Sequence, residues 1–139
     1  MKIAQIAPLI ESVPPKLYGG TERVVSNLTE ELVRQGHDVT LFASGDSVTS
    51  AKLVPCCPRA LRLNTDVHDA RPYYIRMMNR IRPIAATFDV LHFHIDLIHF
   101  SYFHDIADRT VTTLHGRQDL PEIASHFAAY PGMPLVSIS

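Results

Sequence analysis

Apolar positions along the chain fall into two rhythms, one of strands and one of helices. Residues 2–7 (Lys-Ile-Ala-Gln-Ile-Ala) make a short apolar run, the signature of a strand covered on both faces of a sheet. Over residues 21–35 the apolar positions are Val24, Val25, Leu28, Leu32 and Val33, which is helical spacing. Glu30 and Arg34 form an i,i+4 pair on its wet side, and Gly36 supplies a stop. Residues 38–43 return to strand and close a β-α-β unit. The stretch 44–66, rich in Gly, Ser and Pro, reads mostly as loop, with room for a short strand at 52–55. A second helix begins after Asp69 with Pro72 in its first turn. Tyr74, Met77, Met78, Ile81 and Ile84 carry it forward, and Pro83 kinks or ends it. Beyond lie strands at 88–94, 109–114 and 134–138 and short helices at 98–106 and 120–129. Strands alternating with helices predict an α/β fold, an open, mainly parallel sheet with helices on both faces.

Composition narrows the choices. The 139 residues suit a single domain, and 46% hydrophobic against 19% charged residues allows a real core. Thirteen Lys and Arg against fourteen Asp and Glu give a net charge of −1, which argues against a nucleic-acid module or a polybasic membrane-surface domain. No run approaches the ~18 apolar residues that cross a bilayer. The N-terminal run is too brief, and too soon broken by Pro8 and Glu11, for an export signal. The two cysteines, Cys56 and Cys57, are adjacent and cannot build a disulfide framework, so the expected location is cytoplasmic. Ser139 falls at the tip of a strand expected inside the sheet. Domain ends usually lie in flexible surface segments, so the expectation is the front part of a longer protein.

Three segments could carry chemistry. The long connection from the first strand to the first helix ends in Tyr18-Gly19-Gly20-Thr21-Glu22. Glycines at a helix mouth let a ligand approach the backbone, and the free N–H groups favour an anion. Neither a G-x-G-x-x-G fingerprint nor a P-loop is present. Second, His92, His94 and Asp96 alternate at a strand end and could share one face, a set that invites a metal. Its spacing is like the start of a metallo-hydrolase motif, but Leu97 stands where that motif needs a further His. Third, Thr112-Thr113-Leu114-His115-Gly116-Arg117 puts a His at a strand's carboxyl end, facing the diglycine loop. That position favours His115 over His37, His68, His99, His104 and His126, which read as solvent-facing or loop residues. Arg117 either lines the cleft or pairs with Asp119. The arginines at 71, 76, 80 and 82 read as a solvated helix face, and the cysteines lack any catalytic partner.

In order and spacing, these segments resemble the N-terminal domain of family 4 glycosyltransferases, retaining enzymes of the GT-B fold. The matching pieces include residues 1–8, Tyr18-Gly19-Gly20-Thr21-Glu22-Arg23, residues 32–43, residues 88–94, Thr112-Thr113-Leu114-His115-Gly116 and Val136-Ser137-Ile138-Ser139. The resemblance implies a Rossmann-like domain, residues 1–139, that shapes the acceptor side of a cleft. It implies a nucleotide-sugar donor, an acceptor and no cofactor or metal. Gly19, Gly20 and Thr21 would face the donor diphosphate, and His115 would be the catalytic-site His near the donor sugar. His94 and Asp96 would lie near the acceptor, with Tyr18, Glu22 and Arg117 as weaker assignments. The family's nucleotide-binding domain, with its paired glutamates, is absent. This chain alone is therefore expected to be inactive and to self-associate through an uncovered interdomain face. Two readings stand beside it: a metal-dependent hydrolase using His92, His94 and Asp96, and a non-catalytic anion-binding module.

Overall fold

The computed structural model describes residues 1–138; Ser139 lies outside the described residues. Six strands form one sheet: β1 (Lys2–Ile6), β2 (Asp38–Ser44), β3 (Lys52–Cys57), β4 (Val90–Phe93), β5 (Thr110–Leu114) and β6 (Leu135–Ser137). Every pairing is parallel and the spatial order is β3-β2-β1-β4-β5-β6. The helices are α1 (Gly20–Arg34), α2 (Arg71–Ile81), the single turn α3 (Phe100–Phe103) and α4 (Pro121–Ala129). The chain is thus the expected α/β, Rossmann-like domain.

Side-chain alternation builds two unequal cores. On one face Ala4, Ile6, Phe42, Leu91 and Phe93 pack with Met77, Met78 and Ile81 of α2. On the other, Ala7, Leu41 and Ala43 pack with Val25 of α1 and with Val13. Val25 and Thr29 of α1 are both fully buried, which seats the helix on that face.

The differences from the sequence expectation sit where local pattern is weakest. The short strand allowed at 52–55 is an edge strand that runs on to Cys57, and Pro55 is tolerated there because an edge strand needs only one row of ladder bonds. Helix α2 ends at Ile81, as expected ahead of Pro83, and the chain goes on into a tighter 3₁₀ stretch, Arg82–Thr87. The helix expected at 98–106 is only α3 followed by the 3₁₀ stretch His104–Arg109. No helix among the described residues is long and apolar enough to cross a membrane.

Strand order reverses between β1 and β4, since the chain winds from β1 out to β3 and then returns to β4 beside β1. In open α/β sheets this reversal opens a crevice beyond the strands' carboxyl ends, where ligands bind. The three candidate segments follow β1, β4 and β5, so all three arrive there.

Candidate functional site

The β1–α1 connection is a packed wall. Leu9 and Val13 are fully buried within it. The Leu9 N–H donates to Tyr74 Oη at 2.9 Å, and the Val13 N–H donates to Ser47 Oγ at 2.9 Å. Glu11, only 4% exposed, takes the Arg62 guanidinium at 2.9 Å. The wall leads into Gly19, whose φ of 167° is extended backbone open to any residue. What Gly19 lacks is space: a Cβ there would lie 2.8 Å from Pro15 Cβ and 2.8 Å from Glu22 Oε2. Around Gly20 a Cβ would meet nothing within 4 Å. Gly19→Ala is therefore expected to cost ~1–3 kcal/mol through overpacking, whereas Gly20→Ala should be neutral or slightly stabilising. Urea midpoints of the two variants check this; equal midpoints would contradict it.

Helix α1 begins with no side-chain cap, so its first N–H groups depend on other partners. Glu22, 5% exposed, curls back and accepts its own backbone N–H and that of Glu11. Burial pushes the Glu22 carboxyl above its ordinary range against that bond from its own N–H; the nearby Glu11 charge adds to the rise and Arg62 opposes it. The Arg23 N–H is taken by Gly19 O at 3.1 Å. The N–H groups of Gly20 and Thr21 remain without a protein partner among the described residues.

Opposite this helix mouth, β5 delivers His115. Its backbone N–H donates to Asp96 Oδ1 at 3.0 Å, and the Gly116 N–H reaches the same oxygen at 3.4 Å. Asp96 adopts φ 51°, a left-handed conformation that Asp tolerates better than most residues. A Cβ on Gly116 would sit 2.8 Å from Asp96 Oδ2, so the His115-Gly116 pair is dictated by the closeness of that carboxylate. Behind His115 lies His94, 2% exposed, its Nδ1 3.0 Å from His115 Nε2. Burial drives His94 down to about 2 and His92 to about 4, with the neighbouring histidines adding to each shift. Burial also lowers His115, against the Asp96 charge that raises it. All three rings are neutral at pH 7.

A cleft of about 560 Å³ brings these parts together: Tyr18, Gly19, Gly20, Thr21, Glu22, Arg62 and His115 all line it. A smaller cavity of about 270 Å³ shares Thr21 and His115 with it and reaches His94 and Asp96. Arg117 does not join the main cleft. It is bound to Asp119 at 2.7 Å and lines a separate cavity with Asp96. His99 corrects its sequence reading: it is 0% exposed, stacked on Phe93 at 3.8 Å with its Nε2 2.8 Å from Thr112 Oγ1. Packing demands it, because β4 and α3 leave a flat slot between aromatic rings.

Sequence reasoning passed over Arg62, Glu11 and Gln5. Arg62 comes from a loop with no periodic signal. Gln5 did carry one: a lone amide inside an apolar strand must have buried partners.

The metal reading finds no such geometry. His92 and His94 direct their ring nitrogens to protein partners, and Asp96 serves backbone N–H groups. Among the described residues no three His, Cys, Asp or Glu side chains are gathered to hold an ion. Cys56 and Cys57 are free, and burial raises both thiols to about 11, so neither is a reactive thiolate.

A glycine-fronted helix and a histidine strand end face one crevice at the switch point of a parallel sheet, the place where open α/β sheets bind ligands. The chain belongs to glycosyltransferase family 4: that family's sequence model matches residues 18–136. Among solved structures it is similar to the crystal structure of AviGT4, a glycosyltransferase involved in avilamycin A biosynthesis. The match has 23% identity and a TM-score of 0.51, and covers 98% of this chain but 31% of that one. At that identity the likeness speaks for the fold, that of an N-terminal GT-B domain. The chain spans about a third of that protein's length. No curated protein matches this chain.

Proposed function

We propose that this chain is the acceptor-side domain of a retaining glycosyltransferase that takes a nucleotide-sugar donor. The observation that carries the reading is the meeting of the unpartnered Gly20 and Thr21 N–H groups with His115 across one cleft at the switch point. In this reading the two amides, on the positive end of α1, receive the donor diphosphate. Glu22 crowds that site with its own carboxyl, and the Arg62 cation on the same wall tempers the repulsion a diphosphate would otherwise meet. His115 faces the donor sugar, and Tyr18, 78% exposed, flanks the entrance. His94, buried behind His115, supports the site from below, while Asp96 holds the His115 backbone.

Departure of a nucleoside diphosphate builds negative charge that fixed donors must meet. Two backbone amides on one open wall neither surround that charge nor exclude water. The chain alone therefore binds donor fragments weakly and transfers no sugar. The wall left open, with Leu17 77% exposed beside Tyr18, is also the face through which copies would self-associate.

Amide NMR of the chain titrated with pyrophosphate, then with a panel of sugar nucleotides, tests this. Shifts should concentrate at Gly20 and Thr21 with pyrophosphate and extend to His115 with the sugar nucleotides. His115→Ala should weaken only the latter, by roughly the 10-fold that one hydrogen bond supplies. Shifts confined to other surfaces, or turnover of a labelled sugar nucleotide by this chain, would overturn the reading.

A further inference from the structure

A buried file of polar side chains runs behind His115. Gln5, inside β1 and 0% exposed, holds its amide between His92 of β4 and His94 just beyond that strand's end. Its Oε1 lies 2.8 Å from His94 Nε2, and its Nε2 lies 3.4 Å from His92 Nδ1. His94 Nδ1 lies 3.0 Å from His115 Nε2, and His92 Nε2 lies 2.8 Å from Thr113 Oγ1.

With the Gln5 oxygen turned toward His94, the protons in this file follow one from another. A neutral imidazole has one N–H and one bare nitrogen, and an amide oxygen only accepts. His94 must donate from Nε2 to the Gln5 oxygen, so its Nδ1 only accepts. The proton between the two rings then belongs to His115 Nε2. Neutral His115 is left with a bare Nδ1, the ring nitrogen without a partner among the described residues. On the other side the Gln5 N–H donates to His92 Nδ1, and His92 Nε2–H donates to Thr113. Donor meets acceptor at all four contacts.

We propose that Gln5 is a positioning residue for the cleft: acting through His94, it holds His115 as the Nε2–H tautomer, so His115 meets its ligand with Nδ1 as a hydrogen-bond acceptor. Its use rests on the reading of His115 given above, although the tautomer does not. A bare Nδ1 accepts from a hydroxyl, as a sugar provides, and offers nothing to a phosphate oxygen, which is left to the amides of Gly20 and Thr21. No charged group competes for the ring. Asp96 is committed to the backbone N–H groups, Arg62 is paired with Glu11, and Glu22 is bonded to backbone N–H groups. Turning the Gln5 amide by half a rotation would reverse every step and make His115 a donor. One buried amide thus decides which kind of ligand atom the cleft histidine accepts.

Long-range nitrogen–proton NMR of the imidazoles in the intact chain at neutral pH reads the tautomers directly. Both His94 and His115 should be protonated at Nε2 and bare at Nδ1. In Gln5→Leu, His94 loses its oxygen acceptor, and the Nδ1–H form of His115 should grow. Gln5→Glu, which returns an oxygen to His94, should restore the original His115 signature. Nδ1–H on His115 in the unaltered chain overturns the proposal, and that measurement needs no variant to fold. An unchanged His115 tautomer in folded Gln5→Leu overturns it as well. If the tautomers are as assigned but sugar nucleotides leave His115 unperturbed, the functional reading fails while the relay stands.

Discussion

Lowering the pH from 7 to 5 is expected to remove a large part of the chain's stability. In the folded state burial holds His92 at about 4, His99 at about 3 and His94 at about 2. Unfolded, each returns to about 6.5. The folded values are depressed, so the neutral rings contribute their full stability above pH ~6.5. Below it the unfolded chain binds protons that the folded chain refuses, and stability falls until each folded pKa is reached. Each histidine contributes a slope of about 1.4 kcal/mol per pH unit, and three together about 4. A domain of this kind has only about 5–15 kcal/mol in total. Urea unfolding at pH 7, 6 and 5 measures the slope directly. His99→Phe keeps the aromatic stack on Phe93 and should lower that slope by about a third. A midpoint independent of pH over this range would show that the three rings are not held neutral.

The second large effect is expected at Phe93. Its ring is fully buried on β4, between His99 at 3.8 Å and Phe103 at 4.9 Å. Phe93→Ala removes the contact on which α3 docks to the sheet and should cost ~3–5 kcal/mol. Val24→Ala on the exposed side of α1 should stay within ~0.5 kcal/mol. Thermal or urea midpoints decide between them. A small loss at Phe93 would mean that α3 closes over the gap. Because Phe93 alternates with His92 and His94, the same strand stabilises one face and serves the cleft with the other.

That alternation explains how much of the site was legible. The diglycine helix mouth and His115 announced themselves because both fall just beyond strand carboxyl ends, where open α/β sheets bind ligands. Their meeting in one cleft followed from parallel topology, which brings every strand's carboxyl end to one side. His94 was visible as a candidate, yet its burial was not, since a strand histidine reads alike whether it faces ligand or core. His99 was read as exposed because nothing local shows that Phe93 and Phe100 leave a slot for it. Arg62 was invisible, because it reaches the cleft through a 3₁₀ turn, Leu61–Leu63, that carries no periodic signal.

The sequence by itself determined the α/β alternation, the glycine-fronted helix and the family, since each rests on local spacing or ordered motifs. Only the tertiary structure decided which polar groups are partners. Gln5 and His94 lie 89 residues apart, Glu11 and Arg62 about 50, and hydrogen bonds over such separations leave no period in the chain. Gln5 reaches His94 because β1 and β4 pair side by side, and a buried polar group has to find whatever partner its neighbour supplies. Glu11 reaches Arg62 because the Leu61 and Arg62 N–H groups bond to Leu9 O and Ile10 O of the β1–α1 connection.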